Sequence, residues 1–362
     1  MSAKVQLVAA GARAPVGTTA ESVAAAVRAG ISRVRREPVP ELGGESDSFI
    51  ARDGLLDAGE WSGAARMALL GAAALEEVLG KLAAAHLDAE VPVLVGLPEE
   101  RPGWDAADAS RVAAALGAVE GGRLRPRIEP RLAGHAAALE ALREAVTRIG
   151  RTGRCPLVIV GGVDSYHDLE TLDWLRENNQ WLEAGSRTGF VPGEAAAFVA
   201  LMDASEARRL GLTPAATVRT AATARERRLI NTDALNLGEG LTSAVSEALA
   251  PLDGTRETVE NILCDINGDR YRAEEWGFVA LRLGQAFRDA SAYHTPVRSC
   301  GDVGAATGAL NLVMSAQSWR RRYARGPRAL VWGSSDAGLR AAALLEDPNP
   351  ERGDAGRPWP RE

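Results

Sequence analysis

Val297-Arg298-Ser299-Cys300-Gly301-Asp302-Val303-Gly304-Ala305-Ala306-Thr307-Gly308-Ala309-Leu310-Asn311 is the stretch on which the fold turns. Its glycines fall at 301, 304 and 308, a spacing of three and four. That spacing predicts one face of a helix, where a bare backbone lets a second element come close. A helix that starts at a tight glycine turn also aims its free N–H groups at whatever lies ahead of it. The stretch therefore reads as a buried helix whose N-terminus faces a site. The plainer reading is a small-residue packing helix without chemistry.

Composition narrows the classes. The chain has 362 residues, with 42 basic and 48 acidic side chains and a net charge of −6. The acidic balance argues against a nucleic-acid surface or an anionic membrane. One basic run, Arg320, Arg321, Arg322 and Arg325, sits beside Trp319 and Tyr323 and reads as a solvated helix end or a partner contact. Three cysteines, Cys155, Cys264 and Cys300, show no C-x-x-C spacing. Neither a disulfide framework nor a structural metal site is expected, and a reducing cytoplasm is. The first residues, M-S-A-K-V-Q-L-V-A-A-G, hold no long apolar run ahead of a cleavage site, so no signal peptide is expected. No uninterrupted apolar stretch is long enough to predict a membrane span.

Along the chain, apolar strand runs alternate with Ala/Leu-rich helical periods. Val5 to Ala10 predicts a strand, Thr19 to Val34 a helix capped near Thr19, and Arg35 to Glu60 a charged surface loop. Trp61 to Ala85 predicts a long helix with Met67, Leu70, Ala74, Leu75, Val78, Leu79 and Leu82 on its buried face. Strands are expected at Val91 to Leu97, Cys155 to Val160, Phe198 to Met202, Ala216 to Ala222, Asn261 to Asp265 and Arg328 to Gly333. Helices are expected over 102–118, from 134 to 149, and over 204–212, 238–252 and 272–283. Gly134-His135-Ala136-Ala137-Ala138-Leu139 echoes the stretch at 301, so the chain reads as two similar α/β halves.

The motifs resemble those of β-ketoacyl synthases in the thiolase superfamily. The opening stretch is similar to their third catalytic block, K-S-x-x-G-H-x-x-G-A-x-G. Val297 stands at its Lys, Gly301 at its Gly, Asp302 at its His and Ala305 at its middle Gly, while Ala306 and Gly308 keep its end. Gly189-Phe190-Val191-Pro192-Gly193-Glu194-Ala195-Ala196-Ala197 resembles the G-F-x-x-G-E-G-A-A strand motif. Glu194 reads there as a buried hydrogen-bond anchor. The region from 134 to Gly161-Gly162-Val163-Asp164-Ser165 resembles the nucleophile elbow, with His135 at the position of the nucleophilic Cys. Ile266-Asn267-Gly268-Asp269 resembles the H-G-T block, with Gly268 kept, Asn267 at its His, and Glu274 or Glu275 for the Glu that closes it. Gly11, Pro15 and Gly17 match the turn after the first strand, and Trp332 to Gly338 the C-terminal glycine turn.

The resemblance implies a thiolase fold, two similar α/β halves in a five-layered αβαβα sandwich. The halves are expected over 1–212 and 213–345, with a disordered tail over 346–362. It also implies lost chemistry, because all three catalytic positions (His135, Asn267 and Asp302) carry other residues. Either Cys300 or Cys264 supplies a substitute nucleophile, or the three residues cluster with Asp302 holding a positive His135, as a hydrolytic dyad or as a satisfied hydrogen-bonded network, the last being the reading preferred here. Glycines 193, 268, 301, 304 and 308 then serve as structural motif positions, with no cofactor and no metal. The function implied is a catalytically degenerate, dimeric adaptor, accessory to effector delivery in type VI secretion and bound to an effector or adaptor protein. The alternative is an acyltransferase or a chain-length-factor-like partner in fatty acid or polyketide biosynthesis, meeting an acyl carrier protein. Either reading expects a homodimer, or a heterodimer with a related thiolase-fold chain.

Overall fold

The computed structural model describes residues 4–41, 44–56, 63–152, 157–182, 188–230, 232 and 235–350. Cys155 and the tail beyond 350 lie outside the described residues. The first half opens with β1 (Val5–Arg13) and α1 (Ala20–Arg28), the latter capped by the Thr19 hydroxyl, which accepts from Ser22 N. This helix stops at Arg28, short of Val34, because Gly30 turns left-handed (φ +69°) and Ile31 N closes back on Ala26 O at 3.0 Å. The charged stretch read as a loop contains a hairpin instead: β2 (Val34–Glu41) pairs antiparallel with β3 (Gly44–Ala51). The helix α2 (Gly63–Leu82) buries every position its periodicity selected. There follow β4 (Ala89–Leu97), α3 (Ala106–Gly117), β5 (Leu124–Leu132), α4 (Ala137–Thr152), β6 (Leu157–Ser165), α5 (Leu169–Glu177), β7 (Glu194–Asp203) and α6 (Ala204–Arg209).

The second half contains β8 (Ala216–Arg225), α7 (Glu239–Leu249), β9 (Asn261–Leu263), α8 (Arg270–Leu283) and β10 (Tyr293–His294). It ends with the short α9 (Val297–Cys300), α10 (Thr307–Arg320), β11 (Arg328–Ser334) and β12 (Leu339–Glu346). Of these elements β5, β12, α5 and the two-residue β10 have no counterpart in the sequence reading. Two prolines in β5 argue against a strand, a point that fails because β5 is a sheet edge. Residues 339–346 are Leu- and Ala-rich helix formers, yet they lie extended between β8 and β11, paired antiparallel on both sides. The third, α5, is capped by Asp168, whose carboxylate accepts from Glu170 N and Thr171 N.

All strands but the hairpin form one ten-stranded sheet, in the order β10-β9-β11-β12-β8-β1-β7-β6-β4-β5. Outward from the β1–β8 junction, each side repeats the same pattern: two antiparallel steps and then two parallel ones. The chain order repeats as well, because β1, β4, β5, β6 and β7 occupy the places of β8, β9, β10, β11 and β12. The duplication inferred from the echoed glycine stretches is thus a duplication of topology.

Strand alternation produces the layers. Along β7, Ala195, Ala197, Val199 and Leu201 face a central core with α4 and α10, while Ala196, Phe198, Ala200 and Met202 face an outer core with α2 and α3. On the other side, β11 sends Ala329 and Val331 to the same central core, and Leu330 and Trp332 to a second outer core with α7. The result is a five-layered αβαβα sandwich. From 307 to 319 the helix α10 is buried all round, which accounts for its weak amphipathic pattern.

One expectation at the deciding stretch is corrected. Gly301, Gly304 and Gly308 do not share a helix face: Gly301 (φ +70°) and Gly304 (φ +48°) lie in the turn ahead of α10, and only Gly308 is helical. Positive φ cannot continue a right-handed helix. At Gly304 a Cβ would also stand 1.9 Å from Asp164 Oδ2.

Candidate functional site

The two equivalent turns meet in the middle of the molecule. Gly134 (φ +64°) opens a 3₁₀ turn, Gly134–Ala136, ahead of α4, and Gly304 opens Gly304–Ala306 ahead of α10. His135 stands on the first turn and Asp302 just before the second. His135 Nε2 lies 2.9 and 3.1 Å from the two carboxylate oxygens of Asp302. Asn267, just after β9, donates its Nδ2 to Asp302 Oδ2 at 2.5 Å, and Gly304 N donates to Oδ1 at 2.7 Å. The three residues that the sequence resemblance singled out are therefore brought together as one buried hydrogen-bonded cluster.

A second layer of residues, not singled out in the sequence, surrounds it. Arg272 at the start of α8 donates to Asp265 at 2.7 Å, to Asp336 at 3.0 Å and to the Ser334 carbonyl. The Nη2 that serves Asp336 also lies 3.3 Å from His135 Nδ1. Burial and this guanidinium both act to lower the imidazole pKa, but Asp302, with help from Asp265, outweighs them, so it is raised. Below that value His135 is a cation facing Asp302. Above it, the proton nearest Asp302 stays on Nε2, and Nδ1 becomes an acceptor for Arg272. Burial works against the Asp302 charge, yet His135, Arg272 and Asn267 hold its carboxyl well below the ordinary range.

Above the cluster is a cavity of about 280 Å³ lined by His135, Asn267, Arg272, Glu99, Arg101 and Tyr166, among others. Arg101 donates to Asp164 at 2.7 Å and covers the Tyr166 ring at 4.4 Å. Burial and then the charge of Asp336 push the Glu99 carboxyl up. Four backbone donors near this cavity are already engaged. Ala136 N donates to Ser335 Oγ (2.9 Å), Ala305 N to Asp164 (2.8 Å), Ser334 N to Asp265 (2.7 Å) and Asp336 N to Glu99 (3.1 Å). The W-G-S-S-D-A-G turn, which carries Ser334, Ser335 and Asp336, and the G-G-V-D-S stretch, which carries Asp164, were the signals for this layer.

Neither alternative nucleophile lines the cavity. Cys300 is fully buried in the central core, and burial pushes its thiol up to about 12, only partly offset by the Val16 backbone. Cys264 is packed in the outer core beside α7 and α8, with its sulfur 3.6 Å from the His294 carbonyl. The motif glycines sit where backbones touch: a Cβ at Gly193 would stand 2.1 Å from Cys300 O, and one at Gly308 3.1 Å from Leu139 Cγ on α4. Gly268 (φ +105°) turns the chain between Asn267 and α8. Glu194 is buried in a bidentate pair with Arg66 (2.5 and 2.7 Å), and also accepts from Ser165 and Asp53 N. Of the two candidate closing glutamates, Glu275 is buried against Arg340 (2.7 Å), while Glu274 pairs on the surface with Arg270 (2.6 Å).

No protein-family model matches the chain, and none of the curated proteins does. Solved structures do. An ishigamide ketosynthase/chain length factor superposes with a TM-score of 0.77 at 14% identity, over 96% of this chain and 100% of that one. The ketosynthase complex of a type II polyketide acyl-carrier protein, bound to a hexaketide, gives 0.76 at 16% identity, over 96% of this chain and 100% of that one. The ketosynthase of module 6 of the bacillaene synthase of Bacillus subtilis 168 gives 0.75 at 13% identity, over 95% of this chain and 72% of that one. At these identities the likeness is one of architecture, and the chain has the thiolase-like fold of ketosynthases and of ketosynthase/chain-length-factor proteins.

Proposed function

We propose that this chain is a non-condensing thiolase-fold subunit, resembling a chain length factor in role, that works by pairing with a second thiolase-fold chain. The observation that carries this reading is the closed state of the cluster. Acyl transfer needs a free nucleophile and free donors aimed at the oxyanion that forms. Here the imidazole at the elbow is bound to Asp302 through Nε2 and faces Arg272 through Nδ1. Four nearby amide donors are bound to internal carboxylates or a hydroxyl. An anionic Asp302 also opposes an enolate developing beside it. The role in effector delivery rests on the sequence resemblance, and no feature of the site favours it over a partner subunit.

The test is intact-protein mass spectrometry after incubation with acetyl and hexanoyl thioesters of N-acetylcysteamine, at neutral pH. The expected mass is unchanged. An acyl adduct mapping to Cys300, Cys264 or His135 in the folded protein would overturn the proposal in favour of an acyltransferase.

A further inference from the structure

The C-terminal end of α10 faces a second concavity, away from the His135 cavity by the length of that helix. Its fourteen residues, at about 1.5 Å each, span about 20 Å. This groove, about 840 Å³, lies between the end of α10, the segment joining the two halves and the chain after β12. Arg288, Arg320, Arg322 and Arg325 line it, against Glu260 and Asp347. Glu260 is taken by Arg328 at 3.0 Å, and Asp347 caps Asn349 N at 2.9 Å. Arg288, Arg320 and Arg322 are less well matched. Arg320 has Glu21 only at 3.7 Å, Arg288 donates to a carbonyl, and among the described residues Arg288 and Arg322 have no ion-pair partner. In a chain of net charge −6, Arg288 and Arg322 thus stand without an ion-pair partner among the described residues, both lining one hollow.

Arg322 carries the argument further. It has φ +59° and ends α10 in a left-handed turn, with Arg322 N bonded to Trp319 O (3.1 Å) and Tyr323 N to Ser318 O (2.9 Å). Glycine is the residue this position favours, and a side chain here is a cost to the fold. The fold instead holds a guanidinium there, at the rim of the groove. The aromatic neighbours are not available to a base or ring: Trp319 is buried and bonded to Gly326 O at 3.0 Å, and Tyr323 is buried under Arg28. The recognition on offer is charge and planar donor geometry, which suit phosphate. The volume is that of a small-ligand site.

The geometry points to a binding site in this groove for a small anion bearing two or more phosphate groups. Isothermal titration of the full chain with inorganic tripolyphosphate tests it. Saturable binding that weakens steeply with salt is expected. Arg322→Gly and Arg288→Gln should each weaken it by about tenfold or more. Because Arg322→Gly relieves the left-handed strain, its melting temperature should equal or exceed that of the parent, which separates lost binding from lost fold. Absence of saturable binding, equal affinity in both variants, or equally tight binding of a hexaglutamate peptide would each overturn the assignment.

Discussion

His135 and Asp302 are 167 residues apart in the chain and 2.9 Å apart in space, each supplied by the turn ahead of one of the two equivalent helices. The contact crosses the seam between the duplicated halves, so it couples the electrostatics of the site to the docking of one half on the other.

A pH signature follows from the signs of the two shifts. The raised His135 pKa contributes stability that is complete below the ordinary imidazole value of about 6.5 and is lost as pH rises through the folded value. The depressed Asp302 pKa contributes stability above the ordinary carboxylate value of about 3.9, lost as pH falls through the folded value. The pair is therefore worth most between about pH 4 and 6.5. Asp302→Asn should cost about 3–5 kcal/mol at pH 6 by leaving the buried His135 without its anion. It should also flatten the decline in stability above neutrality. Urea unfolding of the parent and the variant at pH 6 and 8.5 checks both; an unchanged pH dependence in Asp302→Asn would sink the coupling.

Glu194 is expected to be a stability residue. Replacing it by Ala removes the carboxylate that Arg66, Ser165 and the Asp53 amide all use. The cost should be about 3–5 kcal/mol, because a buried guanidinium is left unpaired. Replacing Arg66 and Glu194 together by Leu should cost less than the two single changes summed. Denaturant midpoints of the three variants give the coupling directly. Additive costs would mean that the pair is not one unit.

Pairing with a second chain, if it runs through strand β5, has one weak point. Ala133 donates back to Leu97 O at 3.2 Å, so alternation turns the odd residues of β5 toward β4 and the even ones toward the free edge. That edge then presents Pro126, Ile128 and Pro130, and the Ile128 amide is the only donor between two proline nitrogens. Antiparallel self-pairing centred on Ile128 sets proline against proline and Arg127 against Glu129 of the partner subunit. Ile128→Pro should leave the monomer folded, since the lost donor is not a β4 partner, and should shift a dimer to monomer by about tenfold or more in Kd. Sedimentation velocity reads this out. A dimer unaffected by Ile128→Pro would place the contact elsewhere.

Much of the site was legible in part. His135, Asn267 and Asp302 were identifiable because the small residues around them are constrained by backbone contact and keep a recognisable pattern. Arg272, Asp265 and Glu99 were not, because charged residues at strand ends and helix starts look the same whether solvated or buried, and Asp164 was legible only as part of the G-G-V-D-S stretch. Their partners are distant in the chain: Asp164 with Ala305, Glu99 with Asp336. Cys300 and Cys264 looked close to the pocket by sequence separation. A strand or turn sends successive side chains in different directions, and both thiols point into cores.

The sequence by itself determined the α/β class, the duplication, the long helix α2 and the buried strand β7. Each of these depends on local periodicity and on glycine positions, which short-range sterics dictate. Only the tertiary structure decided that residues 339–346 form a strand, that the stretch after α1 folds into a hairpin, and that Gly301 and Gly304 make a turn ahead of their helix. It also decided that His135, Asn267 and Asp302 close on one another. Those outcomes depend on hydrogen-bond partners and charges that the fold alone brings within reach, and no local pattern encodes a contact across 167 residues.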